Sequence, residues 1–200
     1  MSAIRPLAMV VLELLHEAPM HPYEIQQKIR HRQLGRLTKV TVGSLYHAVE
    51  KLEKDGLIEV VETSREGRRP ERTTYRLSAA GLDVFQEEVL GSLSELAPEY
   101  PRFAMALQHL HTQRRDAAIT ELRRRVHGLK KKIALMDAAI ADLELQHVEP
   151  MYWLDYTYGR TMRQAELDWV ERLIDRLVND ELTWPEAVVR RLDELEEDRR

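Results

Sequence analysis

The chain has 200 residues, 30 of them basic and 34 acidic for a formal net charge of −4, and it has no cysteine. This excludes disulfides and thiolate chemistry, fits a reducing compartment, and allows one or two domains with a sizeable core. No apolar run approaches membrane-spanning length, and the one near the start is interrupted by Pro6, Glu13, His16 and Glu17 with no cleavage pattern after it, so a cytoplasmic protein with no membrane partner is expected.

Pro6 suits the first turn of a helix, and Leu7, Val10, Val11, Leu14 and Leu15 mark one buried face that Pro19 ends. His21 and Pro22 open a second, short helix carrying Tyr23, Ile25 and Ile29. It fades into a stretch in which Lys28, Arg30, Arg32, Arg36 and Lys39 occur with no acid among them. Because the total charge is slightly negative, any case for nucleic-acid binding has to rest on such local distribution.

The stretch TVGSLYHAVEKLEKDGLIEV, 41–60, predicts a third helix followed by a strand. Thr41 offers an N-cap oxygen, Leu45, Ala48, Val49 and Leu52 recur at helical spacing, and Gly56 supplies the left-handed position beyond the C-cap. With Leu45 at the centre of the buried face, Gly43, His47, Glu50 and Lys54 fall on the far side, flanked by Ser44, Tyr46 and Lys51. A helix that starts with small, hydrogen-bonding residues and carries no bulky aliphatic outside after Val42 is shaped to enter a major groove by its N-terminus.

IEVVET and TTYRL read as strands joined by the tip SREGRRPE, where Gly67 and Pro70 favour a protruding loop over a tight turn. Arg65, Arg68, Arg69, Arg72 and Arg76 concentrate there against Glu66 and Glu71. Such arginines suit a narrow, negative minor groove or the DNA backbone; the alternative is solvated charge that discourages edge-to-edge pairing. Ser78 then caps a fourth helix with an apolar stripe at Leu82, Phe85, Val89, Leu93 and Leu96, and Pro98 and Pro101 mark a domain boundary.

LYHAVEKLEKDGLIE, a basic turn and TTYRLSAAG, preceded by HPYEI at 21–25, resemble the PadR family of winged-helix transcription regulators, whose H-G-Y-E-I has its glycine replaced here by Pro22. Together these motifs cover most of 6–81. The resemblance implies a phosphate-facing role for Tyr46 and a dimer built by C-terminal helices. AELDWV, 165–170, is similar to the family's terminal signature, and some members use aromatic residues near the dimer interface to bind ligands.

From Phe103 onward the chain reads as helical throughout. Ile119, Leu122, Val126, Leu129, Ile133, Met136, Ile140, Leu143 and His147 alternate steps of three and four, a heptad seam about 42 Å long at 1.5 Å per residue that wants a partner helix. Thr112 is its expected N-cap, and a close backbone approach would explain Gly128 within it. Pro150 forces a return, and a helix over 151–178 brings Leu167, Val170, Ile174 and Leu177 onto a matching stripe. The basic run RRRVHGLKKK, 123–132, reads as a solvated helix surface with acids nearby, not as a DNA site.

MYWLDYTY, 151–158, concentrates aromatics; Tyr152, Trp153 and Tyr156 are either helix packing or a pocket for a small aromatic effector. Catalysis has little support: the histidines are scattered, His109 and His111 diverge on a helix, and no phosphate loop or nucleophile elbow occurs. No cofactor and no metal site is expected, His16 and His21 being the weak candidates for the latter.

The fold expected is mainly α with a small β-hairpin wing: a winged helix-turn-helix domain over 1–97, a helical dimerisation domain over 98–184 and a charged tail over 185–200. The function expected is a homodimeric transcriptional regulator, most simply a repressor, that binds an inverted-repeat operator in double-stranded DNA and is released by an effector. Lys39, Thr41, Val42, Gly43, Ser44, Tyr46, His47, Arg68, Arg69 and Arg72 are the DNA-binding candidates. The rival readings are a winged-helix module that binds protein, discriminated by the salt dependence of DNA binding, and a small-molecule carrier, supported only by the aromatic cluster.

Overall fold

The computed structural model describes residues 4–32, 34, 40–64, 72–96, 101–185, 187, 190, 191 and 194, with the side chains of Ser64 and Arg72 excepted. It divides into two compact units, Met1–Pro98 and Glu99–Arg200.

In the first unit, α1 (Pro6–Glu17), α2 (Pro22–His31) and α3 (Val42–Lys54) surround one apolar core. Leu7, Val11, Leu14 and Leu15 of α1 are buried as their spacing predicts, and Leu12 joins them, so α1 is covered on more than one side. Ile25 and Ile29 of α2 and Leu45, Val49 and Leu52 of α3 complete the core with Ile58. Pro22 occupies the first turn of α2, where its missing N–H has no helical partner to lose. His21 caps that helix: its Nδ1 accepts from the Tyr23 amide at 3.0 Å, while Glu24 accepts from the His21 amide at 2.8 Å.

Strands β1 (Ile58–Ser64) and β2 (Arg72–Leu77) pair antiparallel, with Ile58 opposite Leu77, Val60 opposite Tyr75 and Thr63 opposite Thr73. An irregularity between Val60 and Glu62 bulges the first strand, which raises its local twist. On its other edge β2 meets Met20 from the α1–α2 turn, whose amide and carbonyl bond both backbone groups of Tyr75 at 2.9 and 3.0 Å.

Helix α4 (Ala79–Ser94) begins where Ser78 accepts from the Gly81 amide at 3.0 Å and donates to the Gly56 carbonyl at 2.7 Å. Its apolar stripe is only partly used. Phe85 packs on the core, but Val89 and Leu93 are exposed within the chain and Leu96 lies past the helix end, also exposed.

The second unit is not helical throughout. A short helix α5 (Arg102–Gln108) and a 3-10 turn over Leu110–Thr112 precede the long α6 (Arg115–Leu145), whose N-cap is Arg114 and not Thr112. A second 3-10 turn over Pro150–Trp153 returns the chain into α7 (Leu154–Val178). The seam of α6 finds its partner in α7: Leu122 packs with Val170, Leu173, Ile174 and Leu177, and Leu129 and Ile133 pack with Leu167. His147 lies beyond α6, at φ 55°. A methyl group on Gly128 would meet nothing within 4 Å, so no close approach inside the chain accounts for that glycine.

Ion pairs tie α6 to α7 along the seam. Arg125 bonds Glu166, Lys130 lies 2.8 Å from Glu171, and Arg160 lies 2.9 Å from Asp137. Part of the basic run is thus paired with acids on the neighbouring helix, as its spacing predicts. Arg125 also stacks 3.6 Å from the centre of the Phe103 ring, which meets Trp169 edge-on, so α5 is pinned to the pair. Arg115 closes the far end by donating to the Leu177 carbonyl and pairing with Asp180 at 2.6 Å. That carbonyl belongs to the last turn of α7, where no intrahelical donor remains.

Candidate nucleic-acid interface

The start of α3 is locked by a reciprocal cap. Thr41 Oγ1 accepts from the Ser44 amide at 3.1 Å, and Ser44 Oγ accepts from the Thr41 amide at 2.9 Å. The Ser44 hydroxyl also donates to the Thr41 carbonyl and accepts from the Thr41 hydroxyl, both at 3.0 Å. Its hydrogen-bonding capacity is therefore fully engaged in starting the helix. Gly56 ends the helix region at φ 74°, as required of a residue that reverses the chain after the C-cap.

This geometry divides α3 into two faces. Leu45, Val49 and Leu52 are buried, while Val42, Gly43, Tyr46, His47 and Glu50 are exposed, Val42 at 51% and Tyr46 at 42%. A methyl group at Gly43 would meet nothing within 4 Å, so the fold itself makes no use of the missing side chain. Lys51 is drawn to Asp55 at 2.8 Å and so stays near the helix end.

The basic stretch after α2 is less available than its composition implies. Glu17 at the end of α1 receives Lys28 at 2.9 Å and both terminal nitrogens of Arg32. The Arg32 bonds, more than those of Lys28, hold the Glu17 carboxyl below its ordinary pKa against the opposing effect of burial. Arg30 and His31 are exposed; Arg36 and Lys39 lie outside the described residues.

In the hairpin, Arg76 bonds Glu59 across the strands at 2.8 Å. Arg65, Arg68 and Arg69 lie outside the described residues, and of Arg72 only the backbone, paired with Ser64, is described. Tyr75 reaches α3: its hydroxyl donates to Glu53 at 3.1 Å. Neither this bond nor the Glu17 bridge is signalled in the sequence, because the partners are 22, 11 and 15 residues apart and belong to no shared periodicity.

The aromatic candidates of the second unit are placed differently from one another. Trp153 is buried and donates from Nε1 to the Val148 carbonyl at 3.0 Å; Tyr152, its neighbour, is 79% exposed, and Tyr156 is half-buried. A depression of about 170 Å³ occurs elsewhere, beside α4, lined by Ile4, Val84, Glu87, Glu88, Ser92 and Glu95. Among the described residues no group of three or more His, Asp or Glu side chains is arranged to hold a metal ion, and no helix is long and apolar enough to cross a membrane.

Comparison with known proteins agrees with this arrangement. No curated protein sequence matches the chain. Among solved structures, Bacillus subtilis PadR in complex with operator DNA is 18% identical at a TM-score of 0.67, covering 86% of this chain and 99% of that one. The same protein in complex with p-coumaric acid is 17% identical at 0.66, with the same coverage. The PadR-like regulator BC1756 from Bacillus cereus is 14% identical at 0.59, covering 87% and 99%. At these identities the likeness is one of fold, and it extends through both units. Residues 11–87 match the family model described as the transcriptional regulator PadR-like family, a family of transcription regulators and not of enzymes. That segment, running from within α1 through α2, α3 and the hairpin into α4, is where the chain is similar to the PadR-like family of transcriptional regulators.

Proposed function

We propose that the protein is a dimeric repressor that binds an inverted-repeat operator through α3 and the hairpin, and leaves it when a small aromatic effector binds. The observation that carries this reading is the start of α3. There Val42, Gly43, Tyr46 and His47 are exposed together on a helix whose opposite face is fully buried, and the glycine serves no packing within the chain. A glycine near a helix start gives up helix stability, and close approach by an external surface is the compensating use.

In this reading residues 1–97 form the reading domain, 98–184 the dimerisation domain and 185–200 a charged tail. Val42, Gly43 and His47 face base edges. Ser44 reads a base only by releasing its cap, so its first role is to hold the helix N-terminus in place. Thr41, Tyr46 and Lys39 contact phosphates, and Arg68, Arg69 and Arg72 follow the minor groove or backbone from the wing. Two copies related by a two-fold axis place their α3 helices one helical turn of DNA apart, which matches a palindromic site.

Dimerisation is supported by α7, where Leu154, Tyr158 and Met162, spaced four apart, leave an apolar stripe exposed on the side away from α6. The effector is supported by the similar PadR bound to p-coumaric acid; Tyr152 and Tyr156 are the residues a second copy would complete into its site. A DNA-binding regulator of this kind works in the cytoplasm.

The test is selection of DNA fragments by the purified protein, followed by affinity measurement against salt. With about 6 phosphate contacts, affinity falls roughly a thousandfold between about 50 and 200 mM salt. Changing Arg68 and Arg69 together to alanine lowers affinity and flattens that dependence while light scattering still reports the dimer. Failure to select any duplex, or binding indifferent to salt, would refute the reading.

A further inference from the structure

We infer that Tyr75 is a positioning residue whose hydroxyl braces the hairpin against α3, so that the angle between recognition helix and wing depends on one oxygen atom. The inference deepens the DNA-binding reading and rests on it for its functional consequence. Its physical basis is in the free protein.

Tyr75 is the point where three parts of the first unit meet. Its backbone amide and carbonyl bond Met20 in the α1–α2 turn, its position in β2 faces Val60 immediately beside the bulge of β1, and its hydroxyl donates to Glu53 in the last turn of α3. The ring packs on the core cluster. A two-stranded hairpin alone is marginal in water, and the bulge beside Tyr75 adds twist that the pairing with β1 does not constrain. Met20 fixes the strand in its own plane; the bond to Glu53 fixes the sheet against the helix.

The bond is suited to permanence. Burial, then the charge of Glu53 and its hydrogen bond, push the Tyr75 hydroxyl above its ordinary value, with Glu50 adding in the same sense. The phenol therefore stays a donor through the neutral range. The Glu53 carboxylate is in turn turned toward the hairpin, and the Ser78 bond to the Gly56 carbonyl holds the base of the same junction.

The experiment compares full-length wild type with Tyr75→Phe, Glu53→Ala and Glu53→Gln. Amide hydrogen exchange reads the brace without DNA: Tyr75→Phe and Glu53→Ala raise exchange in 58–64 and 72–77 about tenfold or more, an opening free-energy change of roughly 1.4 kcal/mol, and leave α1 and α2 protected. Glu53→Gln keeps an acceptor and restores most of that protection. On the selected operator, the two disruptive variants lose affinity and the slope of log K against log salt shrinks by about 1–2, because wing phosphate contacts go with the wing. Unchanged hairpin exchange would overturn the brace. So would affinity lost at an unchanged salt slope, the signature of a domain loosened as a whole. Wild type that binds no duplex would instead remove the DNA-binding reading and the consequence for affinity, leaving the exchange result to decide the brace.

Discussion

Two glycines of the first unit have opposite surroundings. A Cβ on Gly81 would sit 1.9 Å from the Leu57 carbonyl oxygen and 2.9 Å from its carbon, both backbone atoms that cannot rotate aside. Gly81→Ala is therefore expected to destabilise the first unit by about 2–3 kcal/mol, the range of overpacking. Gly43 meets nothing, so Gly43→Ala keeps the fold and adds at most about 1 kcal/mol of helix stability. Denaturant midpoints measure both, and an operator-affinity assay completes the contrast, with Gly43→Ala binding more weakly despite its greater stability. A Gly43→Ala protein that gains stability and keeps its affinity would remove Gly43 from the interface.

Among the elements, α1 and α2 are joined by a charged bridge as well as by their apolar core. Glu17 joins Lys28 and Arg32, and its carboxyl is held below its ordinary value of 4.5, chiefly by Arg32. A depressed carboxyl contributes stability above the unfolded-state value and loses it as pH falls through the folded one. Wild type is thus expected to exceed Glu17→Gln at neutral pH, with the gap closing below about pH 4.5; solvent screening of this half-exposed pair limits it to about 1 kcal/mol. Urea midpoints measured across that range check it, and a gap independent of pH would show that the pairing contributes nothing through charge. The same bridge explains why a stretch of basic residues is not by itself an interface: two of its cations are already occupied within the fold. In the second unit the seam of α6 is satisfied by α7, which changes where a second copy is expected to dock.

For the whole molecule, that site is the outer stripe of α7. Tyr158 and Met162 are 69% and 50% exposed, so replacing both with aspartate leaves the α6–α7 core intact. The expected outcome is a light-scattering mass halved to that of one chain, with circular dichroism unchanged and operator affinity reduced, because each half-site is then bound alone. A dimer that persists would place the two-fold contact on another surface, such as the exposed end of α4 at Leu90 and Leu93.

Much of the molecule was legible along the chain because its causes are local. The Thr41 cap, the left-handed turn at Gly56, the helix start at Pro6 and the return at Pro150 each depend on residues within a turn of one another. The PadR motifs likewise lie in short, contiguous segments, and residues 11–87 match that family's model. The heptad seam was equally legible, but periodicity states only that a helix needs a partner. That α7 of the same chain provides it, that Trp153 is buried while Tyr152 is exposed, and that Phe85 of the α4 stripe packs on the core while Val89 and Leu93 stay exposed depended on packing. So did Glu17 meeting Lys28 and Arg32, and Tyr75 meeting Glu53: side chains far apart along the chain meet only when the core brings their helices and strands together. Local propensity chose the elements, and long-range burial chose which of their polar residues were left for a partner.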